Sequence, residues 1–232
     1  MQAIRAADLD TIAACGDVNR NVVATANRWL SPAHAAACDL ARQLSEHLLP
    51  KTAAFEEIWL DAPAAAGADH EPIYGDLYLP RKFKIAVAVP PSNDVDVYAQ
   101  DLSFVAHVVH DEVHGYTVLV GGGMGMTHGE RGTYPCLAQP MGYCTPDQVL
   151  AVAEHVLTTQ RDFGDRSDRK HARLKYTVED MGLDGFRAEV ERRLGTKLAP
   201  AQSLHFVSNA DPLGWRQGPD GLWHYTLYVE SG

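Results

Sequence analysis

Apolar positions recur every three or four residues in some stretches and every second residue in others, and the change of period divides the chain into elements. Residues 2–14 carry Ile4, Leu9 and Ile12 at helical spacing and stop at Gly16. Ser31-Pro32 offers an N-cap followed by proline at the first helical position. From there Ala37, Leu40, Ala41, Leu44 and Leu48 form one stripe up to Pro50, which predicts an amphipathic helix. Phe55 to Leu60 reads as a strand, and 61–72 as a loop rich in alanine, glycine and proline.

The middle of the chain is rich in β-branched residues. Strands are expected over 83–90, 102–110 and 115–123, the last two joined as a hairpin across Asp111 to His114. Thr145-Pro146-Asp147-Gln148 has capping-box form and opens a helix with the stripe Val149, Val152, Ala153, Val156 and Leu157. A later helix uses Phe186, Val190 and Leu194 and ends at Gly195. Trp223, Tyr225, Leu227 and Val229 alternate with polar residues in an expected strand over 222–230. No internal repeat is visible. Central strands between helices predict an α/β (α+β) layered domain, and a strand at 222–230 needs neighbours that the remaining tail is too short to supply.

With 46% hydrophobic and 22% charged residues, collagen-like, disordered and coiled-coil classes drop out. The formal charge of -10 argues against duplex nucleic acid or an anionic membrane as the main partner. Cys15, Cys38, Cys136 and Cys144 show no C-x-x-C pair, so neither a zinc ribbon nor a thioredoxin-like site is written here and no metal ligand is assigned. The first residues lack a signal-peptide core and no run is long enough to span a bilayer, so a reduced, cytoplasmic protein is the expectation.

Three stretches could carry chemistry. In Leu79 to Pro90 three cations open a strand built for burial. Alternation places Lys82, Lys84, Ala86 and Ala88 on one face, and Arg81, Phe83, Ile85, Val87 and Val89 on the other. That face suits a flat ligand over the alanines with an anion held by the ammonium groups; the alternative is a pair of gatekeeper lysines on an edge strand. Val118 to Gly125 imitates a dinucleotide-binding turn, but Met126 stands where the third glycine belongs. Close approach of backbone to another large ligand, or a plain turn, fits better. Five cations crowd the ten residues from Arg166 to Lys175, either as a solvated face or as a clamp for a polyanion. His107, His110 and His114 lie close in sequence, but 107 and 110 point to opposite faces of a strand, against a zinc site.

Taken in series, CGDVNRNV at 15–22, LPRKFKIAV at 79–87, NDVDVYAQDLSFVA at 93–106, GYTVLVGGGMGMTHG at 115–129 and TTQRDFGDRSDRKHARLKYT at 158–177 resemble the siroheme-containing sulfite and nitrite reductase family, nearest its sulfite-reducing branch. The resemblance implies a siroheme-binding domain over 1–200, a mixed sheet covered by helices, and over 201–232 the partial start of a following ferredoxin-like half-domain. It implies siroheme coupled to a 4Fe-4S cluster and reduction of sulfite to sulfide by six electrons. The donor would be a flavoprotein subunit or ferredoxin. Arg20, Lys82 and Lys84 then resemble the cations around the bound anion. Asn19, Arg81 and Arg173 resemble siroheme-binding residues, and the Gly121, Gly122 and Gly123 backbone would lie against the macrocycle. The family's C-x5-C and C-x3-C cluster ligands are not in this sequence, so the resemblance is to a central fragment. A ferredoxin-type nitrite reductase and a non-catalytic module without cofactor are the other readings.

Overall fold

The computed structural model describes residues 17–51 and 71–230. The helix expected over 2–14, Cys15, the strand expected over 55–60 and most of the 61–72 loop lie outside the described residues.

A five-stranded mixed sheet organises the chain in the order β1 (Asn19–Ala24), β2 (Phe83–Ala88), β3 (Leu102–Val109), β4 (Glu112–Val120), β5 (Gln139–Cys144). The first three strands are parallel and the last two antiparallel. The amino ends of β1, β2 and β3 therefore meet the carboxyl end of β4 along one rim of the sheet, with Asn19 opposite Phe83 and Leu102 opposite Val120. Functional residues from distant parts of the sequence converge on this rim.

Four helices cover one face: α1 (Pro32–His47), α2 (Val149–Phe163), α3 (Leu174–Met181) and α4 (Leu183–Leu194). In α1, α2 and α4 the stripes are those the periodicity predicts. Leu40 and Leu44 of α1, Val152 and Val156 of α2, and Phe186 and Val190 of α4 share one core with Phe83, Ile85, Val87 and Phe104 of the sheet. Caps fix the helix starts. The Ser31 hydroxyl accepts the His34 N–H at 3.3 Å, and the Gln148 side chain accepts the Thr145 N–H at 3.1 Å. Gly195, in the left-handed region at φ 72°, ends α4. Among the described residues the opposite sheet face carries no α-helix. Ala88, Val105 and Leu119 are covered there by Val97, Ala138, Leu204 and Phe206. No helix among the described residues is long and apolar enough to cross a membrane.

Several details depart from the sequence reading. The β3–β4 hairpin turns at His110–Asp111, not at 111–114. Both residues have positive φ, 52° and 66°, so a two-residue turn suffices and β4 begins at Glu112. Helix α3 forms inside the charge-rich region because Leu174, Tyr176 and Val178 are buried. The last strand is only Trp223–Thr226 and finds a partner in Gly214–Gln217, forming a two-stranded ribbon. Trp215 meets Tyr225 across it at 4.9 Å, and His224 stacks on Trp29 at 5.6 Å. Among the described residues no sheet stacks on its aromatic face, where Trp223 and Tyr225 stay 63% and 53% exposed.

Glu191 clamps the exit from α4. Its carboxylate accepts from Arg187 Nε at 2.8 Å, Lys197 Nζ at 2.8 Å and the Leu198 N–H at 3.0 Å. Burial opposes its charge, but these donors outweigh burial and hold the carboxyl at about 2. A depressed folded-state value adds stability that is complete above the unfolded value near 4.5 and is lost as pH falls toward about 2. We expect Glu191→Gln to cost roughly 2 kcal/mol in urea unfolding at pH 7, with the difference vanishing near pH 2.

Candidate functional site

Strand β2 has a neighbour on each side, β1 and β3. Lys82 and Lys84 therefore cannot serve as edge-strand gatekeepers, since β2 has no free edge to protect. Nor do Ala86 and Ala88 form an open floor. Both are fully buried, and Ala88 packs under Val97 and Val105 from this same chain, so the small side chains admit protein rather than a flat ligand. Arg81 also departs from the alternation argument. It precedes the first residue of β2, and it lines the same cleft as Lys82.

That cleft, about 490 Å³, lies at the sheet rim. Its wall carries Arg81, Lys82, Arg169, Lys170, Arg173 and Lys175 and no carboxylate. Three of the six are paired with carboxylates outside the wall, Arg169 with Asp17 at 3.7 Å, Lys170 with Glu130 at 2.9 Å and Arg173 with Asp101 at 2.8 Å, and the wall still keeps an excess of positive charge in a chain of net charge -10. The crowding shows at Lys82, whose ammonium is held below the usual lysine value by burial and then by Lys84, Arg173, Arg20 and Arg81. The other four cations proposed from sequence thus sit within electrostatic reach of Lys82. Arg20 arrives through a register shift in β1 between Asn19 and Asn21, a bulge of the kind that re-aims a side chain.

Asn19 is buried, and its amide N–H donates to the Tyr74 hydroxyl at 3.1 Å. Its side-chain Oδ1 is buried with no hydrogen-bond partner among the described residues. A buried acceptor left open at the rim is an expensive feature to retain for folding alone.

The glycine run is placed behind the cleft. Gly121, Gly122 and Gly123 are all buried, and the residue of this loop that lines the cleft is Gly125, followed by Met126 and Thr127. At Gly122 a Cβ would come within 2.4 Å of the Gln100 and Tyr98 carbonyl oxygens, so protein backbone already fills the space. Gly123 exchanges both backbone hydrogen bonds with Cys136, and β5 follows; no helix opens here as a dinucleotide site would require.

The charge run separates into two jobs. Arg166 is structural, donating to the carbonyls of Leu77, Tyr78 and Arg161. Arg169, Lys170 and Arg173 face the cleft. Two residues that sequence reasoning did not single out complete the site. Lys175 donates to the carbonyls of Gly123 at 3.2 Å, Gly125 at 2.9 Å and Tyr134, with its ammonium 4.9 Å from the Tyr176 ring centre. It ties down the glycine loop. Asp101, fully buried, binds Arg173 and the Lys84 backbone. In the sequence Lys175 shows only as the last cation of the charge run, and Asp101 only as a charge beside the apolar start of a strand.

Residues 41–198 match the family model of the nitrite and sulphite reductase 4Fe-4S domain. The chain belongs to this family. Among its relatives, sulfite reductase [NADPH] hemoprotein beta-components of Chromohalobacter salexigens and Anoxybacillus flavithermus are 57% and 56% identical over the whole of this chain. The chain spans 41% of the length of each. The solved structure of the Mycobacterium tuberculosis NirA protein aligns with a TM-score of 0.66 over 90% of this chain and 34% of that one; at 24% identity it shows a shared fold.

The family's name specifies a 4Fe-4S cluster, and the described cysteines do not fit one. Cys38 donates to the Thr25 carbonyl at 3.3 Å. Cys144 is buried, and burial and then Asp147 push its thiol up to about 12. Among the described residues no three His, Cys, Asp or Glu side chains converge on a metal position. The cationic cleft, by contrast, fits a large anionic ligand.

Proposed function

We propose that this chain supplies one wall of the siroheme and substrate site of an assimilatory sulfite reductase hemoprotein, which reduces sulfite to sulfide by six electrons. The observation that carries the reading is the rim cleft lined by six cations and no acid. Siroheme bears eight carboxylates, and such a ligand relieves the repulsion that the cations impose on one another. When bound, siroheme would supply the iron that receives the anion and the electrons.

Each residue of the chain then has a role. Arg81 and Arg173 pair with ligand carboxylates, Arg173 with a planar fork suited to bidentate contact. Asn19, at the start of β1 beside Arg20, holds the strand end that borders the ligand, and the Gly121 to Gly123 run sets the backbone behind it. Arg20, Lys82 and Lys84 hold the substrate oxyanion. Each sulfite oxygen must leave as water, so the reaction needs protons as well as charge. Lys82, with its depressed ammonium, gives up a proton more readily than an ordinary lysine, which arginine does not do near neutral pH.

The relatives are named beta-components of an NADPH enzyme, which favours sulfite over nitrite and a flavoprotein partner as electron donor over ferredoxin. We place the siroheme-binding unit in residues 1–200, with 201–232 beginning the next half-domain, in a cytoplasmic protein. The test uses the full-length protein reconstituted with siroheme and cluster and fed by reduced methyl viologen. Sulfide formed from sulfite, with slower turnover of nitrite, supports the reading. Nitrite as the preferred substrate would replace sulfite, and a protein that takes up no siroheme would leave the non-catalytic module.

A further inference from the structure

We propose that Asp101 is a positioning residue of the cleft: through Arg173 it fixes the guanidinium that meets the anionic ligand, and it locks the lysine strand to the same point. This rests on the reading of the cleft as an anion site. Asp101 lies between the 3-10 turn Val97–Ala99 and the start of β3, with no exposed surface. Oδ1 accepts from Arg173 Nε at 3.1 Å and from Nη2 at 2.8 Å, and Oδ2 accepts from the same Nη2 at 2.9 Å. Oδ2 also accepts the Lys84 backbone N–H at 3.0 Å, and the Asp101 carbonyl accepts the Gly121 N–H at 2.9 Å. One residue therefore ties together the clamp arginine, the lysine strand and the first glycine of the loop.

The geometry says which atoms are left for a ligand. Asp101 occupies Nε and Nη2 of Arg173, and among the described residues Nη1 has no protein acceptor. Arg173 keeps 18% of its side chain exposed in a wall whose other charged residues are all cations. Without Asp101 the guanidinium has no acceptor to hold it there, and repulsion from Lys82 and Arg81 favours its turning toward solvent. Burial pushes the Asp101 carboxyl up, while Arg173 and the Lys84 N–H pull it back, and both oxygens accept donors as a carboxylate does.

Charge and position predict opposite signs. Removing a negative charge from a cationic cleft should tighten anion binding if only charge matters. If Asp101 positions Arg173, Asp101→Asn should weaken it, because the amide NH₂ faces the guanidinium donors and cannot hold them. The probe is inorganic pyrophosphate, titrated calorimetrically into the 232-residue chain. We expect Asp101→Asn and Arg173→Gln each to weaken binding about tenfold, and the double variant to lose no more than either alone. A protected Arg Nε–H resonance should be present in the parent and absent from both single variants. Arg173→Lys, which keeps the charge but not the fork, should also lose about tenfold, and it serves if Asp101→Asn fails to fold. Equal or tighter binding by Asp101→Asn, additive losses in the double variant, or full affinity in Arg173→Lys would overturn the assignment. Failure of the parent chain to bind pyrophosphate would overturn the anion-site reading itself, and this inference with it.

Discussion

Replacing Lys82 by Met in the full-length, cofactor-loaded protein is expected to lower sulfite turnover by about a hundredfold or more, the scale of losing a positioned proton donor and charge together. Stability should stay level or rise. Lys82 is held below its usual basicity by burial and by Lys84, Arg173, Arg20 and Arg81, so its charge is a cost in the folded chain without an anion, and Met removes the cost while keeping the apolar stem. The same crowding sets a pH dependence. Sulfite binding should weaken at a pH below that at which an ordinary lysine loses its proton, and Lys82→Met should abolish this alkaline limb. Turnover and thermal melting measured on one preparation decide the matter. A variant that turns over normally, or one that loses stability and activity in parallel, would make Lys82 a scaffold residue.

Gly122→Ala is expected to be strongly destabilising. The added Cβ would stand 2.4 Å from two backbone carbonyls, Gln100 and Tyr98, and neither can yield like a flexible side chain. Those carbonyls are engaged, since Gln100 accepts the Gly122 N–H at 3.0 Å and Tyr98 accepts the Ala138 N–H at 2.9 Å. The clash would move the segment that carries Asp101. A loss of about 3 kcal/mol or more is expected in chemical unfolding, at the upper end for overpacking. Gly125→Ala is the control. Nothing lies within 4 Å of its would-be Cβ, so its effect should stay within about 0.5 kcal/mol.

Periodicity made the helix face of the fold legible. Leu44, Val152 and Phe186 are buried where their stripes place them, because an amphipathic helix needs only one apolar surface to settle on. The strand positions were legible too, but not their order. Nothing in FKIAVA says that β2 is central, and that fact removes the gatekeeper reading of Lys82 and Lys84. Alternation failed at Arg81 because the residue lies before the pleated strand begins. Ala86 and Ala88 suggested a floor for a ligand, since a small residue leaves space without saying what fills it; a turn from the same chain does. The cations of the site were visible as charges that an apolar strand should not hold. Asp101 and Lys175 escaped notice because their partners lie 72 and about 50 residues away, and spacing along the chain does not record them.

The rim cleft is the proposed seat of the macrocycle. A structure of the full-length protein with siroheme bound tests this most directly. We predict ligand carboxylates within hydrogen-bonding distance of Arg81 and Arg173, with the substrate side of the iron turned toward Arg20, Lys82 and Lys84. A macrocycle seated elsewhere, for example in the groove between His34 and the Trp215–Trp223 ribbon, with these five cations left in solvent, would contradict it.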